Sequence, residues 1–404
     1  MQASARRGGL LASTAALNFG LAFFRFLLSV LMARTLGVEG RGEVAVFVVA
    51  AEVLSRLFGL GLPVALAQRV KSRNSTDVLQ VSAFAAIAWV LPSLAGGVAI
   101  SLWITDHINL PYVLGSALFI FGQLNITMFR QMLIAVAALG KAVGLQLLVM
   151  AITLALVAVI SVTGSLSVEA VALSFGLSAS FGIWPAVRAA RSQLTDHPTK
   201  PPQRPSADDW SAARMAFPFA FLQFINGAID VAVIGVVAGP IEAGLYVVAL
   251  NVVRPLLVLA NTAGLLGFSE GSYGDALPPV RPILGKSIIA GVSWMPIAWF
   301  ALPLIFGDSF NSSRPVALVL CLSSAVNMAY GYFSQRMLAT GRAAIASRAE
   351  VGASVVTAVG LLTFSLWGSL EAIDAAVTSL LAYAVKLLIL ERRSQLQGTR
   401  TALQ

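Results

Sequence analysis

Long apolar runs follow one another along the chain, separated by short polar turns. They fall near residues 12–34, 43–66, 78–103, 111–136, 143–162, 169–188, 213–237, 243–267, 283–306, 315–337, 349–367 and 373–390. A helix needs about 20 apolar residues to cross the hydrocarbon core. Backbone groups in lipid must be satisfied within the span, so each run reads as a helix. The opening MQASARRGGLLASTAALNFG has the look of a signal peptide. Its apolar stretch continues to Ala33 with Arg25 inside it, and it reads as a retained first span. The expected class is an all-α polytopic membrane protein of about twelve transmembrane helices.

Composition strengthens that reading. Hydrophobic residues are 58% of 404 positions and charged residues 11%, about half the share of charge in an ordinary globular chain. The net charge of +9 would suggest nucleic acid in a soluble protein. Here the basic residues are spread over short loops with no aromatic-interleaved patch, so they act as topology signals facing an anionic leaflet. With the N-terminus inside, the inner loops carry Arg6, Arg7, Arg69, Lys71, Arg73, Lys141, Arg188, Arg191, Lys200, Arg204, Arg281, Arg342, Arg348, Arg392 and Arg393, whereas the outer ones carry Arg41 and Arg314. That asymmetry places both termini in the cytoplasm.

The longest polar stretch, residues 188–210, holds Pro201, Pro202 and Pro205 and falls near the midpoint. It divides the chain into an N-terminal half, 1–190, a cytoplasmic linker, 191–212, and a C-terminal half, 213–404, each half with six spans. An internal repeat supports the division. Gly37 and Gly42 match Gly239 and Gly244 at an offset of 202, and the turns Leu139–Lys141 and Thr340–Arg342 match at 201. Both halves hold an even number of spans, so the repeats run in the same sense, about an axis along the membrane normal.

Polar residues inside spans are costly and usually face a cavity or a partner. Arg25 lies mid-span, with Asn18 on roughly the same face. Glu52, Ser55 and Arg56 make one stripe on the second span. Gln223, Asn226 and Asp230 share a face of the seventh, and Asn251 and Arg254 lie three apart on the eighth, with Pro255 beside the arginine. Glu52 and Arg254 are repeat-related positions. Arg130 shares a face of the fourth span with Gln123 and Thr127, and either lines the inner mouth or snorkels to the interface.

Residues 25–70 carry an ARTLG turn (Ala33–Gly37), a GRGE start to the second span and GLGLP (Gly59–Pro63) near its inner end. Together with residues 243–268 they resemble the polysaccharide (Wzx-type) flippases of the multidrug/oligosaccharidyl-lipid/polysaccharide (MOP) exporter superfamily. The resemblance implies two six-helix lobes around a central cavity, working by alternating access. It also implies an undecaprenyl-diphosphate-linked oligosaccharide as cargo, the bacterial inner membrane as the location, and polymerase or glycosyltransferases as partners. Related lipid II flippases hold the diphosphate with arginines on spans one, two and eight. Arg25, Arg56 and Arg254 lie on those spans, and guanidinium forks suit phosphate oxygens. Glu52 and Asp230 would then be counter-ions or coupling residues, and Asn18, Gln223, Asn226, Asn251 and Arg130 would line the cavity.

No cofactor or metal is expected. Cys321 is the sole cysteine, and His107 and His197 sit in loops on opposite sides. No phosphate loop or dinucleotide-binding fingerprint is present, and no loop is long enough for a catalytic domain. Two other readings stand beside the flippase. One is a cation-coupled exporter of drugs or small molecules from the same superfamily. The other is a polytopic membrane glycosyltransferase or ligase, which would need a large outer loop.

Overall fold

The computed structural model describes residues 2–71, 78–136, 138–194, 204–271, 279–340, 343–368 and 370–402. Among them ten helical stretches are long and apolar enough to cross a membrane. The chain folds as two compact units, Met1–Leu36 with Val46–Phe221, and Gly37–Ala45 with Leu222–Gln404.

The first unit begins in α1 (Gln2–Gly59), which takes in the first expected run and the second as far as Gly59 without a loop between them. The one interruption is Gly37, whose φ of 72° is open to glycine and strained for other residues. Arg41, expected in an outer loop, is instead buried in the helix that follows. After a left-handed Leu60–Gly61 elbow come α2 (Leu62–Lys71), α3 (Val78–Ala88), α4 (Val90–Thr105), α5 (Leu110–Ala135), α6 (Leu139–Val162) and α7 (Val168–Leu194).

The middle of this unit is α5 packed along α7. Their contact is stripped to backbone: a Cβ on Gly115 would stand 2.6 Å from the Ala172 carbonyl carbon, and one on Gly122 would stand 2.7 Å from that of Ala179. Small residues allow such approach where lipid supplies no hydrophobic drive between helices. Phe47 of α1 lies edge-on to Tyr112 and Phe175, at centroid distances of 5.6 and 6.4 Å, and Phe119 completes the aromatic core. That cluster fixes the second half of α1 against α5 and α7. The first half of α1 meets α6, where Gly20 faces Leu147.

Next comes α8 (Ala207–Ile225), followed by α9 (Ile229–Val237), which together occupy the expected run 213–237. At the start of α8, the Asp209 carboxylate accepts from the Ser206 N–H and hydroxyl, each at 2.8 Å, and pairs with Arg69 at 2.9 Å. Between α8 and α9 the helix breaks at Asn226–Ala228, where Gly227 and Ala228 donate to carbonyls three residues back. Against the expected halves, two stretches change sides. The Gly37–Ala45 tip groups with the second unit, and α8 stays with the first as far as Phe221.

The second unit continues with α10 (Pro240–Gly271), α11 (Val280–Ala301), α12 (Ser313–Ala339), α13 (Ala343–Trp367) and α14 (Ala372–Ala402). Here α10 packs along α12, and α14 packs against both α12 and α13. Ser313 donates to the Leu245 carbonyl at 2.9 Å and Trp294 to the Val252 carbonyl at 3.0 Å, which ties α12 and α11 to α10. Glu242 accepts from the Ala372 N–H at 2.8 Å, placing an acid at the positive end of α14.

Candidate functional site

Each unit holds its own group of intramembrane ionisable residues. In the first, Arg25 and Arg56 come from opposite halves of α1, and Arg130 comes from α5. All three are half-buried. Arg25 and Arg56 both lie in the field of the Glu52 carboxylate, and Arg130 lies in the fields of Arg25 and Arg56. The stripe expected on the second span is present, with Ser55 turned back to donate to the Glu52 carbonyl at 2.8 Å. Glu52 is thus the acid beside two arginines. Asn18 is half-buried on α1, and Gln123, Thr127 and Arg130 form a half-buried polar stripe down α5.

The same unit holds a cavity of about 440 Å³ where the elbow meets α8, lined by Leu60, Trp210, Arg214 and Phe217. None of the candidate residues is in that lining.

Arg254 lies half-buried on α10 of the second unit, one turn beyond Asn251. Asn251 is buried and donates to the Val247 carbonyl of its own helix at 2.8 Å. The Gln223 side chain lies outside the described residues.

Asp230 sits in the first turn of α9 and is buried. Its carboxylate accepts from the Tyr246 hydroxyl, from Ser379 at 3.3 Å and from the Val231 N–H at 2.9 Å. Its partners are therefore neutral donors. Tyr246→Phe would remove one of them from a buried carboxylate. The expected cost is about 1–3 kcal/mol, read from the thermal unfolding of purified protein in detergent.

Four residues back along the chain, at the break, Asn226 donates to the Glu350 carboxylate at 2.8 Å and accepts from Ser354 at 2.7 Å. Glu350 is the centre of a network absent from the sequence reading. The Lys386 ammonium lies 2.8 Å from its carboxylate, with both side chains almost wholly buried. The Tyr330 hydroxyl donates to the other oxygen at 2.7 Å. The ammonium also lies over two rings, 5.0 Å from the Tyr330 centroid and 4.9 Å from that of Tyr383. Ser379, Tyr383 and Lys386 recur at i, i+4 and i+7, so one face of α14 serves both Asp230 and Glu350.

The sequence signal for this network is weak: Glu350 and Lys386 fall inside expected apolar runs, where an ionisable residue calls for a partner, but near run ends, where a charge can also reach water. Among the described residues no group of three or more histidine, cysteine or acidic side chains could hold a metal ion.

No protein-family model matches the chain, and no curated protein matches it in sequence. Solved structures do. A multidrug resistance MATE family transporter of the MOP superfamily, in its inward-facing conformation, superposes with a TM-score of 0.67 at 15% identity, over 95% of this chain and 99% of that one. The fold is that of the MOP transporters. A MOP superfamily transporter from Pyrococcus furiosus, described as having a binding pocket of reverse polarity that suggests a different function, gives 0.64 at 12% identity, covering 96% of this chain and 95% of that one. The lipid II flippase MurJ, in an inward closed conformation, gives 0.63 at 12% identity over 95% and 87%. With ten candidate spans in such a fold, the chain is a multi-pass membrane protein.

Proposed function

We propose that this protein is a flippase that carries an undecaprenyl-diphosphate-linked oligosaccharide across the bacterial inner membrane by alternating access, and is not an enzyme. One observation carries the reading: Arg25 and Arg56, from opposite halves of the apolar helix α1, both lie in the field of the Glu52 carboxylate. Such a grouping suits an anionic cargo, because guanidinium groups bind phosphate oxygens through paired hydrogen bonds. Arg254 would add a third fork from the second unit. Glu52 would neutralise the arginines when no cargo is bound, and Asp230, held by neutral donors, would take the coupling role.

Twelve spans follow if α1 counts twice across Gly37 and α8 with α9 makes one broken span. They would form two six-helix lobes with both termini in the cytoplasm, serving polymerase or glycosyltransferase partners. The fold shared with a lipid II flippase supports this reading.

A cation-coupled exporter is the second reading, favoured by the MATE fold and by the buried Asp230. Protein-dependent flipping of a fluorescent polyprenyl-diphosphate oligosaccharide in proteoliposomes separates the two. Flipping is expected in wild type and is expected to fall at least about tenfold in Arg25→Ala, Arg56→Ala and Arg254→Ala. Flipping unaffected in all three variants would remove the arginine site. No flipping by folded wild type with several glycans would favour the exporter.

A further inference from the structure

The polar stripe of α5 ends in Arg130, and its setting is unusual for a residue that merely reaches the interface. Its Nε is buried and has no hydrogen-bond partner. Its electrostatic neighbours are the cations Arg56 and Arg25. A lysine or arginine that snorkels lays its stem on apolar surface and puts its head in water; this one keeps a donor buried without a partner, in the field of two other guanidinium groups. Counted with Glu52, these four described residues hold three positive charges and one negative. Their surplus of two positive charges lies within helices that cross the membrane. Like charges drawn together in a medium of low dielectric repel strongly, and an anion placed among them relieves all the repulsions at once. The open donor on Arg130 then gains an acceptor.

We infer that Arg25, Arg56 and Arg130 of the first unit together form an anion site matched to a diphosphate ester, with Arg130 as a direct ligand. This rests on the flippase reading for the identity of the carrier lipid but not for the charge chemistry. A diphosphate diester carries one negative charge on each phosphorus, which equals the surplus. The two phosphoryl groups present enough oxygens for three forks, whereas a single phosphodiester headgroup supplies only half the charge. Bulk anionic phospholipid is the other source of the same chemistry, and affinity separates the two.

Full-length protein in phosphatidylcholine nanodiscs would be titrated with farnesyl-diphospho-N-acetylglucosamine, a diphosphate diester, and with phosphatidylglycerol. Wild type is expected to prefer the diphosphate over phosphatidylglycerol by about tenfold or more. Arg130→Gln is expected to weaken diphosphate binding roughly ten- to hundredfold and to flatten its salt dependence. Arg130→Lys, which keeps the charge and loses the fork, should recover part of the affinity. Should Arg130→Gln fail to fold, the wild-type preference and the lysine variant still decide the matter.

Equal affinity for phosphatidylglycerol and the diphosphate would assign the site to bulk lipid and overturn the inference. So would diphosphate binding unchanged in Arg130→Gln. Wild-type flipping of the oligosaccharide alongside such unchanged binding would leave the flippase reading standing and remove only Arg130. Arg130-dependent diphosphate binding without any flipping would uphold the site and remove the proposed transport.

Discussion

Replacing Lys386 by methionine is expected to destabilise the protein by about 3–5 kcal/mol, because it strands the Glu350 carboxylate inside the second unit. The pair is not expected to contribute that much by existing. Taking an ammonium and a carboxylate out of water costs several kcal/mol for each ion, and their attraction at 2.8 Å mostly offsets this. What makes the single substitution severe is what remains. Glu350 would keep only Tyr330 and Asn226 as donors, and neither carries a charge.

The double variant Glu350→Gln with Lys386→Met should therefore be more stable than Lys386→Met alone, despite carrying more changes. Thermal unfolding of the three purified variants in detergent checks the order. A double variant as unstable as the single one would mean that the tyrosine and asparagine contacts, not the charge balance, hold these helices together.

That network also marks where the sequence stops being readable. The apolar runs were legible because lipid imposes one rule on every span, a long uninterrupted stretch of apolar residues. The repeat-related glycines were legible because backbone geometry constrains residue type directly. Glu350 and Lys386 were not, because each lies at a place where a charge has an easy alternative. Lys386 is a few residues from the end of its run and Glu350 is at the start of its own, so both resemble residues that reach for water. Only the packing of α14 against α12 and α13 turns them toward each other.

Asp230 was found from its face on the seventh run. Its partners Tyr246 and Ser379 were not, being 16 and 149 residues away. The break at Asn226–Ala228 carries no proline, and its one local signal is the Asn226-Gly227 dipeptide, a turn former set inside an otherwise helical apolar run. In the first unit, the stripe of Glu52, Ser55 and Arg56 was evident from spacing. That Arg130 shares its field depended on how the second half of α1 lies against α5, which Phe47 and its aromatic neighbours determine.

Alanine at Gly42 is expected to be the most damaging small substitution in the Gly37–Ala45 segment, costing about 3 kcal/mol or more. A Cβ there would stand 2.6 Å from the Pro240 carbonyl carbon and 2.9 Å from the Gly244 nitrogen. Both are backbone atoms at the start of α10, so no side chain can rotate away to make room. The contact is reciprocal: a Cβ on Gly244 would stand 3.1 Å from the Val38 carbonyl carbon and 3.2 Å from the Gly42 nitrogen. Gly244→Ala should accordingly match Gly42→Ala.

The other repeat-related pair, Gly37 and Gly239, does a different job. Each has a positive φ, 72° and 90°, with nothing within 4 Å of an added Cβ. Alanine at either should cost only the conformational strain, about 1–3 kcal/mol. Unfolding midpoints of the four variants should therefore fall into two pairs, with Gly42 and Gly244 the lower. If all four were equal, backbone strain alone would account for the glycines and the close approach would carry no weight. The contact of Gly42 with Gly244 is what holds the Gly37–Ala45 tip against the start of α10 in the second unit. Gly42→Ala should therefore loosen the tip from α10 even at temperatures where the protein remains folded, read as faster proteolysis within Gly37–Ala45, whereas Gly239→Ala should not.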